Sequence, residues 1–265
     1  MSLPKPTRAL TIAGFDPSGG AGVLADVSTF VAFGLQASAA ITSITLQNPS
    51  RVFGVVHQRG EVVRAQVEPL LEAFTIVCAK TGMLPTRDVV MEVARLFRET
   101  DLPRPVVDPV ILSSSGQRLM EEDALEVLVA ELLPLARLVT PNIPEAETLT
   151  GTTIISEADM RRAAVLIRKL GARAVLIKGG HLPQQDAGGT PAVPEDAVDV
   201  LDNEGQVKVF RERRINGAEL HGSGCILSAA IAAGLGKGMT LEDSVGEAKS
   251  FVLAAIRSQR QRREM

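Results

Sequence analysis

Short β-branched runs at residues 9–13, 39–46, 76–80, 105–110, 137–140 and 173–178 alternate with amphipathic stretches along nearly the whole chain. Ala174-Val175-Leu176-Ile177 is apolar at consecutive positions, the mark of a strand covered on both faces. The clearest helical pattern follows Met120. There Leu125, Leu128, Val129, Leu132 and Leu133 recur at i, i+3, i+4, i+7 and i+8 and make one apolar stripe. A further helix is expected after Ser156, with Met160, Ala163, Ile167 and Leu170 inward. Repeated β-then-α order predicts an α/β fold, with parallel strands joined by right-handed crossovers and helices on both faces.

The pattern fails between 182 and 196, where Gly188, Gly189, Pro183, Pro191 and Pro194 mark a loop. Runs at 197–201 and 206–210 then flank Asp202-Asn203-Glu204-Gly205 and read as a hairpin. Two helices follow, at 222–236 and from 241 onward. Neither an internal repeat nor a boundary interrupts the series, so a single domain is expected over 1–265.

Composition narrows the partners. The 265 residues are 45 % hydrophobic and 22 % charged, which suits one large α/β domain with a sizeable core. A net charge of −3, with no Trp, no Tyr and eight Phe, leaves neither the basic stripe nor the stacking platforms of a nucleic-acid binder. The longest apolar stretch, 226–235, is half of the ~20 residues a membrane span needs, and the N-terminus lacks a signal-peptide core. Two cysteines, Cys78 and Cys225, are too few for a disulfide scaffold, and His57, His181 and His221 show no ligand spacing. The expected setting is soluble, reducing and cytoplasmic.

In open parallel sheets ligands sit beyond the carboxyl ends of strands, so the residues after each run carry the chemistry. After the first comes Gly14-Phe15-Asp16-Pro17-Ser18-Gly19-Gly20-Ala21-Gly22, whose glycines let backbone approach a ligand at a helix N-terminus. Gly20-x-Gly22-x-x-Ala25 satisfies a relaxed dinucleotide fingerprint. No Asp or Glu occurs between Asp26 and Glu61 to hold a ribose, so a structural glycine turn serves as well. Gln47 could read a heterocycle edge, having both donor and acceptor, although alone it marks a routine turn. Met83, after Lys80-Thr81-Gly82, could pack on an aromatic ligand or simply fill core.

Asp108 ends the fourth run, a position suited to Mg²⁺ directly or through water. Asn142 and Glu145 start a helix three apart, which fits a capping box and also a carboxylate near a metal–phosphate complex. Lys178, beside Gly179-Gly180-His181, could reach a phosphate or end in solvent. His221-Gly222-Ser223-Gly224-Cys225 opens a long apolar helix on two glycines, leaving unshielded N–H groups for the charge on a transferring phosphoryl group. Cys225 in that first turn is expected to favour thiolate through the helix dipole, against the alternative of a buried structural thiol. Neither G-x-x-x-x-G-K-[ST] nor G-x-S-x-G occurs, which excludes a P-loop and argues against an α/β-hydrolase.

Taken in order, Thr11-Ile12-Ala13-Gly14-x-Asp16-Pro17-Ser18-Gly19-Gly20-Ala21-Gly22, Gln47-Asn48, Thr81-Gly82-Met83-Leu84, Val107-Asp108-Pro109-Val110, Thr140-Pro141-Asn142-x-Pro144-Glu145-Ala146, Lys178-Gly179-Gly180-His181 and His221-Gly222-Ser223-Gly224-Cys225 closely resemble the hydroxymethylpyrimidine/phosphomethylpyrimidine kinases. These form the thiamine-biosynthesis branch of the ribokinase-like superfamily, and the resemblance runs from Ala9 to the last helix. It implies a three-layer fold with a mostly parallel sheet and a small β-flap around 51–57. It also implies ATP-dependent phosphorylation of 4-amino-5-hydroxymethyl-2-methylpyrimidine and then of its monophosphate, with Mg²⁺; separately, a homodimer is expected.

By position, Gly14, Ala21, Asp26, Gln47, Met83 and Val110 would surround the pyrimidine. Asn142 and Lys178 would serve the nucleotide, and Asp108 and Glu145 the metal. Gly222, Ser223, Gly224 and Cys225 would form the anion hole, with Cys225 as the base where sugar-kinase relatives carry Asp. The sequence departs from the family at Leu220 and Asn216-Gly217, in a longer loop at 182–196, and in lacking a Gly-Pro-x-x-His tail. The alternative readings are a pyridoxal kinase, a non-catalytic pyrimidine-binding protein and a nicotinamide oxidoreductase.

Overall fold

The sheet alternates its side chains between two apolar layers, and this parity organises the molecule. Leu10, Ile12, Ala79, Val107, Val139, Val175 and Ile177 point into one layer, and Ala9, Cys78, Val106, Leu138, Ala174 and Leu176 into the other. The computed structural model describes residues 4–264 apart from 49–50, 114–115, 117, 181, 183, 186–190, 193–195 and 216–219.

In chain order the elements are β1 (Thr7–Phe15), α1 (Gly22–Ala32), β2 (Ala37–Asn48), β3 (Arg51–His57), α2 (Gly60–Ala73), β4 (Thr75–Thr81), α3 (Arg87–Glu99) and β5 (Val106–Val107). Then come α4 (Glu122–Val127), β6 (Leu138–Val139), α5 (Ile143–Thr150), α6 (Glu157–Lys169), β7 (Ala174–Gly179), β8 (Gln184–Gln185), β9 (Pro191–Ala192), β10 (Asp196–Asn203), β11 (Gln206–Arg213), α7 (Ser223–Gly236) and α8 (Leu241–Glu264).

Nine strands form one sheet in the order β11-β10-β7-β6-β5-β4-β1-β2-β3. Pairings from β2 through β7 are parallel, while β3, β10 and β11 add antiparallel edges. Helices α2 to α6 supply one apolar layer, and α1, α7 and α8 the other. This is the three-layer ribokinase-like arrangement that the resemblance implies. The flap expected around 51–57 is β3, whose Phe53 and Val56 stand exposed with Leu46 of β2.

Local chemistry explains where the expected elements shift. The run at 105–110 yields only the two residues of β5, because Pro105 and Pro109 cannot donate to a ladder. The stripe after Met120 does bury Leu128, Leu132 and Leu133. However, α4 widens into a π turn over Leu128–Leu132 and tightens to a 3₁₀ turn at Leu133–Leu135, around Pro134. The extra residue per turn brings Ala124 and Val127 inward and leaves Leu125 and Val129 half-buried. The expected hairpin forms as β10 and β11, its turn carrying positive φ at both Glu204 and Gly205. Within the loop at 182–196, Gln184–Gln185 pairs with Pro191–Ala192, and most of the rest lies outside the described residues.

Candidate active site

From β1 the sheet grows one way to β2 and β3, and the other way through β4 toward β11. The chain thus reverses its direction of winding between β1 and β4, and such a switch point opens a crevice beyond the strand ends. Gly14 and Phe15 end β1 there, and Lys80 and Thr81 end β4. A Cβ on Gly14 would meet Met83 Sδ at 3.2 Å, so this glycine lets the thioether lie against the strand end.

Residues 16–22 fold back over that end. Asp16, buried, accepts from Ser18 N–H at 2.8 Å, Ser18 Oγ at 2.7 Å and Ala21 N–H at 3.0 Å. It also contacts His221 Nε2 at 3.2 Å. Burial alone would raise its pKa, but the donors from Gln47, Ser18 and His221 outweigh this and hold the carboxyl below its ordinary value.

The glycines have a more internal use than ligand approach alone. Gly222 has φ +75°, and a Cβ there would lie 2.0 Å from Gly20 O. The turn at 16–22 and the residues before α7 therefore dock backbone against backbone.

Helix α7 begins at Gly222 without a side-chain cap. Ser223 N–H is already donated to Leu220 O at 3.1 Å, so the expected set of free N–H groups is smaller by one. Gly224 and Cys225 precede the first internal bond, from Ile226 N–H to Gly222 O. Lys178 Nζ stands over this start, 3.1 Å from where a Cβ on Gly224 would be. A helix terminus and an ammonium thus converge on one anion position.

The thiol of Cys225 does not behave as the dipole argument expects. Burial pushes it up to about 11, and Asp108 and Asp26 add to the rise, while Lys80 and the Gly22 N–H oppose it. In the resting protein Cys225 is a neutral thiol, because loss of solvent and two carboxylates outweigh one helix end.

Around it runs a chain of buried charges. Lys80 Nζ lies 2.8 Å from Asp26 Oδ2, and Thr11 Oγ1 donates to the same oxygen at 2.6 Å. Asp108 accepts from Lys178 at 2.9 Å and Thr140 Oγ1 at 3.1 Å, with Ser228 Oγ at 3.4 Å. Burial would raise Asp108, yet Lys178 and Lys80 hold it below its ordinary value. Glu145 is buried beyond Lys178. Burial pushes it up to about 7, against Lys178 and with Asp108 raising it further.

Glu145 also completes a capping box. Its Oε2 accepts from Asn142 N–H at 2.8 Å, and its own N–H donates to Asn142 Oδ1 at 2.9 Å. The cap and the electrostatic position coexist.

Gln47 and Val110 are half-buried, and Met83 is buried and lies against Gly14. Asp26 is placed differently from the expectation that it borders the pyrimidine. It is wholly out of water and taken up by Thr11 and Lys80, so its charge is presented to the site through Lys80. Sequence reasoning missed the roles of Asp16, Lys80, Thr140 and Ser228. Lys80 alone carried a signal, as a cation closing a strand that is otherwise apolar. His181, Asn216 and Gly217 lie outside the described residues.

Among the described residues no three His, Cys, Asp or Glu gather as a metal cage. Two carboxylates, one of them held by Lys178, fit a hard cation that takes most of its ligands from phosphate and water.

The family model for phosphomethylpyrimidine kinase matches residues 16–264. The hydroxymethylpyrimidine/phosphomethylpyrimidine kinase of Rhizobium meliloti (strain 1021) is 42 % identical over 249 residues, covering 94 % of this chain and 90 % of that protein. The crystal structure of phosphomethylpyrimidine kinase from Clostridium difficile 630 matches with TM-score 0.80 and 37 % identity, over 95 % of this chain and 99 % of that one. An ADP complex of Bacillus subtilis pyridoxal kinase matches with TM-score 0.83 and 35 % identity, over 95 % and 92 %.

Proposed function

Because the chain belongs to the phosphomethylpyrimidine kinase family, we propose that it transfers the γ-phosphoryl group of ATP to 4-amino-5-hydroxymethyl-2-methylpyrimidine and then to the monophosphate, in thiamine biosynthesis. The observation that carries this reading is the convergence of Lys80, Lys178, Asp108 and Cys225 on the uncapped start of α7. Phosphoryl transfer requires positioning and charge stabilisation more than covalent chemistry, and this cluster supplies both.

Gln47, Met83, Gly14 and Val110 would hold the heterocycle, with Ala21 on the turn above it. Asn142 keeps its side-chain N–H₂ for the nucleotide, since the cap uses only its carbonyl oxygen. Lys178 and the N–H groups of Gly224 and Cys225 meet the negative charge of the transferring group. Cys225 takes the hydroxymethyl proton as a thiolate, after releasing its own proton to solvent, an ionisation favoured by Lys80, Lys178 and the Gly22 N–H. Asp108 and Glu145 would hold Mg²⁺, which when bound offsets the charge of phosphates and carboxylates together.

The likeness to pyridoxal kinase makes the choice of acceptor the deciding measurement. A coupled assay should give phosphorylation of the pyrimidine alcohol and of its monophosphate, with kcat/KM well above that for pyridoxal. Preference for pyridoxal would overturn the substrate assignment, and inactivity on all three would leave a binding protein.

The same reading places the enzyme in the cytoplasm as a homodimer. No helix among the described residues is long and apolar enough to cross a membrane, and Cys78 and Cys225 are both free thiols. Sedimentation at twice the chain mass is the expected result, and a monomer would remove the dimer from the proposal.

A further inference from the structure

Lys178 is bound to the farther of two carboxylates. Strands β7 and β10 run antiparallel, with Leu176 opposite Leu201 and Lys178 opposite Asp199. Both leucines point into the layer of α1, α7 and α8, so Lys178 and Asp199, two residues along, share that face. Side chains directly opposite on one face stand about 5 Å apart at their Cβ atoms. Asp108 follows β5, which is separated from β7 by β6. Yet the Lys178 ammonium turns away from its cross-strand neighbour and donates to Asp108 Oδ1 at 2.9 Å.

The nearer carboxylate is already taken. Lys249 of α8 donates to Asp199 Oδ2, and both side chains are buried. Asp199 Oδ1 accepts the N–H of Gly179 at 2.9 Å. The strands are close there, since a Cβ on Gly179 would lie 2.0 Å from Val198 O.

An ammonium that neutralises Asp199 removes its pull on a second cation beside it. Without Lys249, a buried carboxylate would stand unpaired next to Lys178. That arrangement is costly, and a turn of the Lys178 side chain toward Asp199 would relieve it.

We propose that Lys249 is a positioning residue for phosphoryl transfer, which occupies Asp199 and so leaves the Lys178 ammonium to Asp108 and to the anion position at the start of α7. The proposal rests on the reading above in which Lys178 meets the transferring group.

The experiment measures kcat and both KM values in wild type, Lys249→Gln, and Lys249→Gln combined with Asp199→Asn. It repeats the comparison in Lys178→Met with and without Lys249→Gln. Glutamine can still donate to Asp199 but leaves its charge unbalanced. Lys249→Gln should lower kcat about 10- to 100-fold, the scale of one charged hydrogen bond withdrawn from the transferring group, with the KM for the pyrimidine little changed. Adding Asp199→Asn removes the charge that draws Lys178 aside, while the amide oxygen still accepts from Gly179. That double variant should recover most of kcat. In the Lys178→Met background, Lys249→Gln should cost nothing further, whereas damage to packing alone would cost the same factor in both.

The proposal is overturned if Lys249→Gln keeps wild-type kcat, if Asp199→Asn restores nothing, or if Lys249→Gln costs as much with Lys178→Met as without it. In each of these cases a slow Lys178→Met variant leaves the role of Lys178 standing. A Lys178→Met variant as fast as wild type would remove that role and the proposal with it. Should Lys249→Gln fail to fold, Lys249→Met carries the same comparisons, because it too removes the charge while filling the space of the stem.

Discussion

Lys80 and Asp26 form an ion pair wholly removed from water, with Nζ 2.8 and 3.0 Å from the two carboxylate oxygens. Burying two charges is costly, and breaking such a pair costs more than never having formed it. Lys80→Met leaves Asp26 uncompensated and should destabilise the protein by about 3–5 kcal/mol in urea denaturation. Asp26→Leu combined with Lys80→Met should regain most of that stability and yet have little kinase activity. Wild-type stability in Lys80→Met alone would mean that the pair contributes nothing to the fold.

Gly222 offers a second contrast. Gly222 and Gly238 both have positive φ, +75° and +83°, so alanine at either should cost about 1–2 kcal/mol of backbone strain. Only at Gly222 would a Cβ also strike backbone, at Gly20 O. Gly222→Ala should therefore melt several degrees below Gly238→Ala and show a raised KM for ATP. Equal melting points would mean that the two loops are not in close contact.

The six parallel strands were legible because burial leaves apolar runs, which periodicity detects, and the final hairpin was legible from its Asp202-Asn203-Glu204-Gly205 turn between two short runs. The shortening of β5 was legible in principle from Pro105 and Pro109, whereas the π turn after Val127 leaves no mark in an apolar period. At the site, strand-end positions pointed to Asp108, Lys178 and Glu145, and the structure gathers them around the start of α7. Asp16 stood inside a recognised glycine turn, but its partner His221 lies 205 residues away, and no local pattern encodes that contact. The resting state of Cys225 was misread for a related reason. The helix end is visible in sequence, while the burial and the carboxylates that outweigh it come from distant segments.

Cys225 gives a pH prediction. Its thiol sits at about 11 in the unliganded protein, so only a small thiolate fraction is present at neutral pH. That fraction grows about tenfold per pH unit below the pKa. With both substrates below saturation, kcat/KM should climb steadily between pH 7.5 and 9, and Cys225→Ser should abolish the climb. The variant should also lose about 10²–10⁴ in rate with little change in substrate binding. A serine variant within a few-fold of wild type and with the same profile would exclude Cys225 as the base.

Glu145 separates helix capping from metal binding. Glutamine can keep both halves of the capping box, so Glu145→Gln preserves the α5 terminus. The buried carboxyl titrates near 7 in the folded protein, above its unfolded value of about 4.3. Such a group binds more protons when folded, so its contribution to stability is complete below pH 4 and is lost as pH rises through 7. In metal-free buffer, Glu145→Gln should thus melt at or above wild type at pH 8, by about 2–4 °C for each kcal/mol relieved, with the gap closing toward pH 4. A carboxylate that serves only the cap would leave kinase rate and its Mg²⁺ dependence unchanged in this variant. If Glu145 holds the cation through its water shell, the neutral amide removes the charge it needs. The expected result is a lower rate at limiting Mg²⁺, partly recovered by raising the metal, in a protein that melts no lower than wild type at pH 8. Unchanged rate and unchanged Mg²⁺ dependence would assign Glu145 to the helix cap alone.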